Sequence, residues 1–339
     1  MGLLHDLSTK YKTLSIVGMA KNAGKTTALN YLIEEAIDED VMLGITSTGR
    51  DGESQDLVTG TEKPRVYLEE GMLAAVPAML YDLADAGLEV IRKTKYSTAI
   101  GELLLCRVRE AGYVQIAGPV INAEQKMLCR DMLELGCELI LIDGAIDRKT
   151  IASPDTSDAI ILSTGAVLSR TMSKVVEETA HIVNLYRTPE LEEGIIRDAI
   201  EANKFDDKIM LVNGEGKIKK LDLATGLGAS REIHAAMEED TEYIYIPGAF
   251  TNSVIADISP KNLKRVRFVL KDPTKIFVSA MDWGIHRKKG FRVSVLKNIE
   301  IAAITVNPWA PAGYTFDNRL LLEAMQKAIP DIPIIDVRM

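Results

Sequence analysis

The chemistry this sequence can support starts at Lys25 and Thr26. They close the stretch Gly18-Met19-Ala20-Lys21-Asn22-Ala23-Gly24-Lys25-Thr26-Thr27. A lysine after a glycine-bearing turn offers β- and γ-phosphates a point charge, and the hydroxyl beside it suits Mg²⁺. Lys21, Asn22, Ala23, Gly24 and Thr27 would complete the cradle with backbone amides. Gly24 has no Cβ, so the backbone there can come close to a phosphate. One spacing departs from the strict G-x-x-x-x-G-K-[ST] pattern: five residues separate Gly18 from Gly24, and Met19 stands where glycine belongs. Either Gly18 makes the turn with a longer loop, or Met19 is accommodated.

A bound magnesium needs a second oxygen donor, and Asp143 is the strongest candidate. It ends the run Leu139-Ile140-Leu141-Ile142, four apolar residues and then an acid. A neighbouring strand of this kind delivers a carboxylate to Mg²⁺ or its water shell. Asp147 is a second, weaker acid. In Ser47-Thr48-Gly49-Arg50-Asp51-Gly52-Glu53-Ser54, Asp51 and Glu53 are candidates to hold the metal or orient an attacking water, and Arg50 to offset phosphate charge.

Several elements must position these groups. Leu14 to Val17 reads as a strand and Thr27 to Ala36 as a helix, so the loop opens at a helix N-terminus, where unpaired N–H groups attract phosphate. Strands are expected at 41–46, 113–117, 139–142 and 159–163, with helices at 123–135 and 169–185. Residues 67–111 read mainly as helices, from apolar spacing in Met72-Leu73-Ala74-Ala75 and Leu103-Leu104-Leu105-Cys106. Short apolar runs alternating with helices predict an α/β fold with a mainly parallel sheet covered on both faces. Ligands of such sheets gather at the carboxyl ends of the strands. The polar, proline-bearing segment after Tyr186 sets a boundary: a nucleotide-binding domain over 1–188, then a C-terminal α/β domain over 189–339. The latter is expected to hold strands at 208–213, 243–246, 275–278, 291–296, 301–306 and 332–335.

Composition narrows the classes. A net charge of −9 argues against a dedicated nucleic-acid surface. Three cysteines, Cys106, Cys129 and Cys137, read as buried reduced thiols. The first residues lack a secretory pattern, Asp6 disfavours myristoylation, and no apolar run nears the roughly 20 residues of a membrane span, so a cytoplasmic protein is expected. Asn203-Lys204-Phe205-Asp206 matches a guanine-reading tetrad but follows a helical stretch rather than a strand, and is taken as coincidence. The four histidines fit no metal spacing. Asn307-Pro308-Trp309-Ala310-Pro311-Ala312-Gly313-Tyr314 reads as a rigid surface loop, with a partner or ligand contact as the alternative.

Lys21 to Thr27 is similar to the loops of P-loop NTPases in the group of the molybdopterin-guanine dinucleotide accessory GTPases, dethiobiotin synthetase and the MinD-type ATPases. Lys21 lies one position nearer Lys25 than the second lysine of the MinD type, so its trans-acting role is not carried over. Together with Ser47 to Glu53 and Ile142-Asp143-Gly144-Ala145-Ile146-Asp147-Arg148, the loop resembles the P-loop reactivase subunits of cobalamin-dependent lysine 5,6-aminomutase and ornithine aminomutase. The resemblance implies a Mg²⁺–nucleotide site, ATP by default over GTP, and a protein partner, in the narrow version a cobalamin-dependent aminomutase. A small-molecule kinase or ATP-dependent ligase, and a non-hydrolysing nucleotide-binding regulator, are the alternatives. Self-association stays open.

Overall fold

The computed structural model describes residues 3–48, 65–98, 100–144, 156–223 and 228–337. In chain order these form α1 (Leu3–Lys10), β1 (Thr13–Gly18), α2 (Lys25–Asp38), β2 (Leu43–Ser47), β3 (Val66–Leu68), β4 (Leu73–Pro77), β5 (Gly87–Thr98), β6 (Gly101–Glu110), β7 (Gly112–Val114), α3 (Asn122–Glu134), β8 (Leu139–Asp143), β9 (Ala159–Gly165) and α4 (Met172–Tyr186). There follow α5 (Ile195–Asn203), β10 (Ile209–Asn213), β11 (Ile218–Leu221), α6 (Ser230–Ala236), β12 (Thr241–Ile246), α7 (Pro260–Arg265), β13 (Arg267–Leu270), α8 (Ala280–Lys288) and β14 (Arg292–Val295). The chain ends with β15 (Ile301–Asn307), β16 (Trp309–Ala310), β17 (Tyr314–Thr315), α9 (Asn318–Ala328) and β18 (Ile334–Asp336).

Two compact units emerge, Met1–Thr179 joined by Ile301–Met339, and Ala180–Glu300. The sequence placed one boundary near 188 and gave all later residues to a C-terminal domain. Instead the first boundary falls at Thr179, and the last segment returns to the first unit. β15 is a strand of the first sheet because its run, such as Ile301-Ala302-Ala303-Ile304, buries both faces as an interior parallel strand must, and β18 pairs with it at the sheet edge.

In the first unit the described strands lie in the order β18-β15-β9-β1-β8-β2-β4-β6-β5. From β18 to β4 neighbours run parallel; β4–β6 and β6–β5 are antiparallel. α1 and α2 cover one face, with Leu4, Leu7, Leu29, Leu32 and Ile33 packed against Leu139 and Leu141. α3 covers the other, where Leu128 and Met132 meet Ile140 and Ile142. The expected mainly parallel α/β sheet is present.

The helices expected over 67–111 are not: that span holds β3 to β6 and a 3-10 turn at Ala78–Leu83. Leu103-Leu104-Leu105-Cys106 reads as a helical face only if its apolar residues share a side. In β6 they alternate, Leu104 and Cys106 joining the α2 side and Leu103 and Leu105 the α3 side. Burial pushes the thiols of Cys106, Cys129 and Cys137 up to about 12, as inert core groups.

α2 also anchors the N-terminal helix. The backbone N–H groups of Leu3 and His5 donate to Glu35 Oε1 (2.9 Å) and Glu39 Oε2 (2.8 Å). Burial raises the Glu35 carboxyl above its ordinary value, against the lowering effect of the Leu3 amide. A carboxyl raised in the folded state contributes stability below its unfolded value near 4.5 and loses it as pH rises through the folded value. Glu35→Gln keeps an acceptor for Leu3 without the charge. At neutral pH the variant is expected to melt at or above the wild type, and the gap is expected to close below pH about 4.5. Melting curves across pH check this.

The second unit is a sheet ordered β11-β10-β12-β13-β14, with β12, β13 and β14 parallel and β10 antiparallel to both neighbours. Phe250, Phe268 and Phe291 pack at its centre with rings 5.3–5.5 Å apart. The strand expected at 275–278 is a 3-10 turn, Pro273–Lys275, followed by a lone bridge from Ile276 to Phe250. Pro273 has no N–H to give a ladder, and Asp272 caps the turn by accepting from the Thr274 amide at 2.9 Å. β11 and β13 are strands the sequence did not reveal.

Candidate phosphate-binding site

β1 sits between β9 and β8, so the loop after it emerges at the carboxyl ends of parallel strands. Gly18 is still in register with Ser163, and the Met19 N–H extends that ladder by donating to the Ser163 carbonyl (2.9 Å). β1 nevertheless ends at Gly18, and beyond it the Ala20 carbonyl accepts from the Ala23 N–H (3.2 Å).

Asn22 (φ 64°) and Gly24 (φ 102°) are left-handed. Backbone of this kind turns N–H groups into a concavity that suits an anion. Gly24 precedes α2 without any side-chain cap, so the first-turn amides of Lys25, Thr26 and Thr27 have no intrahelical acceptor. A Cβ built on Gly18 would lie 3.0 Å from Lys25 Cγ and 3.1 Å from its Cδ. The Lys25 stem is thus folded back over the strand end, across the mouth of the turn. Lys25, Thr26 and Thr27 are half-buried, whereas Lys21 and Asn22 are exposed.

Asp143 ends β8 opposite Ile16, two residues before Gly18, and opposite Ser47 at the end of β2. Its carbonyl accepts from the Thr48 N–H at 3.0 Å. Thr48, the last described residue before Asp51 and Glu53 in the sequence, therefore lies beside Asp143. Asp51, Glu53, Arg50 and Asp147 themselves lie outside the described residues.

One neighbour of the loop was not legible as such. Asn307, at the end of β15, packs its Cβ 3.1 Å from where a Gly24 Cβ would be. Its Nδ2 faces the Asn22 carbonyl at 3.5 Å and its Oδ1 accepts from the Trp309 N–H at 3.2 Å. Gly165 lets the β15 end pass, since a Cβ there would sit 2.0 Å from the Asn307 carbonyl oxygen. The Asn307–Tyr314 segment, read as a surface loop, becomes the β16–β17 hairpin, pinned by the Tyr314 hydroxyl donating to the Ala166 carbonyl (2.5 Å). The Arg170 guanidinium lies 5.3 Å from the Tyr314 ring. The only sequence signal was the position of Asn307 directly after a β-branched run. Asn307→Ala should loosen the turn: a loss of about 1 kcal/mol in stability and several-fold weaker nucleotide binding are expected, readable by melting and titration.

The tetrad Asn203 to Asp206 lies in the second unit at the end of α5 and in a 3-10 turn, with Asp206 paired to Lys220 at 2.5 Å. Among the described residues no group of His, Cys, Asp and Glu is arranged to hold a metal by itself. No described helix is long and apolar enough to cross a membrane. Comparison with family models, with curated proteins and with solved structures gave no match.

Proposed function

We propose that the first unit binds Mg²⁺–ATP and uses its binding or hydrolysis to act on a partner protein. The observation that carries this reading is the Lys25 stem folded across a left-handed, uncapped helix start, with Asp143 ending the adjacent strand. Lys25 and the loop amides would hold the β- and γ-phosphates. Thr26 and Asp143 are hard oxygen donors of the kind magnesium takes, and the ion when bound would offset phosphate charge. Asp51 or Glu53 would orient water.

Asp143 lies on the β8 side of β1, with β9 and β15 on the other side, over which the ribose and base would extend. Asn307, Trp309 and Tyr314 are on that side. ATP is taken over GTP by default.

In the narrower reading the partner is a cobalamin-dependent aminomutase, and the work is expulsion of damaged cobalamin. The test is Mg-ATP hydrolysis by the chain alone and with an aminomutase holding inactivated cobalamin. Stimulated hydrolysis coupled to cobalamin release is expected. Unstimulated hydrolysis with cobalamin retained would overturn the narrower reading, and phosphate transfer to a small acceptor would overturn the broader one.

A further inference from the structure

The second unit carries a local charge opposite to that of the chain. Between Lys261 and Arg292 the sequence has ten Lys and Arg against two Asp, in a chain of net charge −9. Both acids are engaged internally. Asp272 is buried and caps the Pro273 turn; Asp282 accepts from Ser279 Oγ (2.9 Å) and Asn252 Nδ2 (2.8 Å), which hold its carboxyl below the usual range. Among the described residues, the exposed Lys264, Arg287, Lys288 and Lys289 make no ion pair with a carboxylate. They share one edge of the unit: β13 and β14 start side by side, Arg267 opposite Arg292, and Gly290 abuts the Lys264 stem.

α8 connects this edge to apolar surface. Its inner face is Trp283 and His286, both against the Phe291 ring at 5.7 and 6.2 Å. Its outer face presents Met281, 73% exposed, and Ile285, 42% exposed, one turn apart. Helical spacing continues that face into Lys288 and Lys289. Between them lies Gly284, in mid-helix, with nothing within 4 Å of where a Cβ would be. Glycine disfavours a helix interior, and no packing inside the unit requires it here. It does let a second backbone come close.

We propose that the outer face of α8 and its C-terminal end, from Met281 through Gly284 and Ile285 to Lys288 and Lys289, docks an acidic amphipathic helix of a partner protein. An apolar ridge at one-turn spacing fits the groove of a helix, and the basic end fits its carboxylates. A nucleic acid would use the cations but leave Met281 and Ile285 exposed to water, and the chain's net charge would repel it. The surface lies within the second unit, and the inference stands or falls without nucleotide.

The test is fluorescence anisotropy on the full chain without nucleotide. The probe is a labelled helical peptide of Leu, Ala and Glu, about 18 residues long, with Leu at i, i+4 and i+7. Saturable, salt-sensitive binding is expected, absent for a scrambled peptide of the same composition. Met281→Asp, and separately Lys288→Glu with Lys289→Glu, should each weaken it about tenfold without lowering the melting midpoint. Gly284→Gln should weaken it while leaving the helix as stable or more so. Absence of saturable binding, or binding indifferent to these substitutions, would overturn the proposal. So would a short single-stranded DNA or phosphatidylglycerol vesicles binding tighter than the peptide and being the probe that the substitutions release.

Discussion

Lys25→Ala is expected to weaken Mg-nucleotide binding by about 100-fold, roughly 3 kcal/mol, the scale of charged hydrogen bonds lost from two phosphates. The Lys25 stem also packs over Gly18, so the alanine variant removes apolar contact with the charge. Lys25→Met separates the two: it keeps a stem over Gly18 and removes only the ammonium. Both variants should bind weakly, and neither should gain melting temperature when Mg-ATP is added, whereas the wild type should. Calorimetric titration gives the affinities. Wild-type affinity in Lys25→Met would mean that the ammonium does not face the phosphates.

Gly118→Ala is expected to cost about 3 kcal/mol or more, lowering the melting midpoint of the unit by roughly 10 °C. A Cβ at Gly118 would lie 1.6 Å from the Ser47 carbonyl oxygen and 2.7 Å from Gln125 Oε1. Neither neighbour can easily withdraw. The Ala117 N–H donates to the Ala75 carbonyl (3.0 Å), and the Ala117 carbonyl accepts from the Ser47 N–H (3.3 Å) and from Thr46 Oγ1 (3.0 Å). Gln125 is itself a buried residue of α3. Because Ser47 stands opposite Asp143, relief of the clash moves the strand ends that flank Asp143, the carboxylate proposed to take Mg²⁺. The Mg²⁺ dependence of nucleotide binding should therefore weaken along with stability. A variant that melts with the wild type would mean the turn at Gly118 does not press on β2.

The central strands were legible because burial on both faces writes continuous apolar runs: Leu14 to Val17 in β1, Leu139 to Ile142 in β8 and Ala159 to Leu162 in β9. The helix start at Lys25 was legible from glycine followed by Lys-Thr-Thr. The same rule of continuous burial misled in β6, where Leu103 to Cys106 feed two cores on opposite faces and mimic helical spacing. Return of the C-terminal segment to the first sheet could not be read locally. Ile301 to Val306 looks like any buried strand, and its pairing with β9 is a long-range choice. Asn307 reaches the loop across 285 residues of sequence, beyond the range of any spacing argument. Asp143 was proposed from four apolar residues followed by an acid, and the structure has it ending β8 opposite Ile16.

The most direct measurement is calorimetric titration of the full chain with ATP and with GTP, each with and without Mg²⁺. The account predicts one ATP bound per chain, tightened by Mg²⁺, with GTP clearly weaker and binding lost in Lys25→Met. No binding of either nucleotide, or equal binding that survives Lys25→Met, would contradict it.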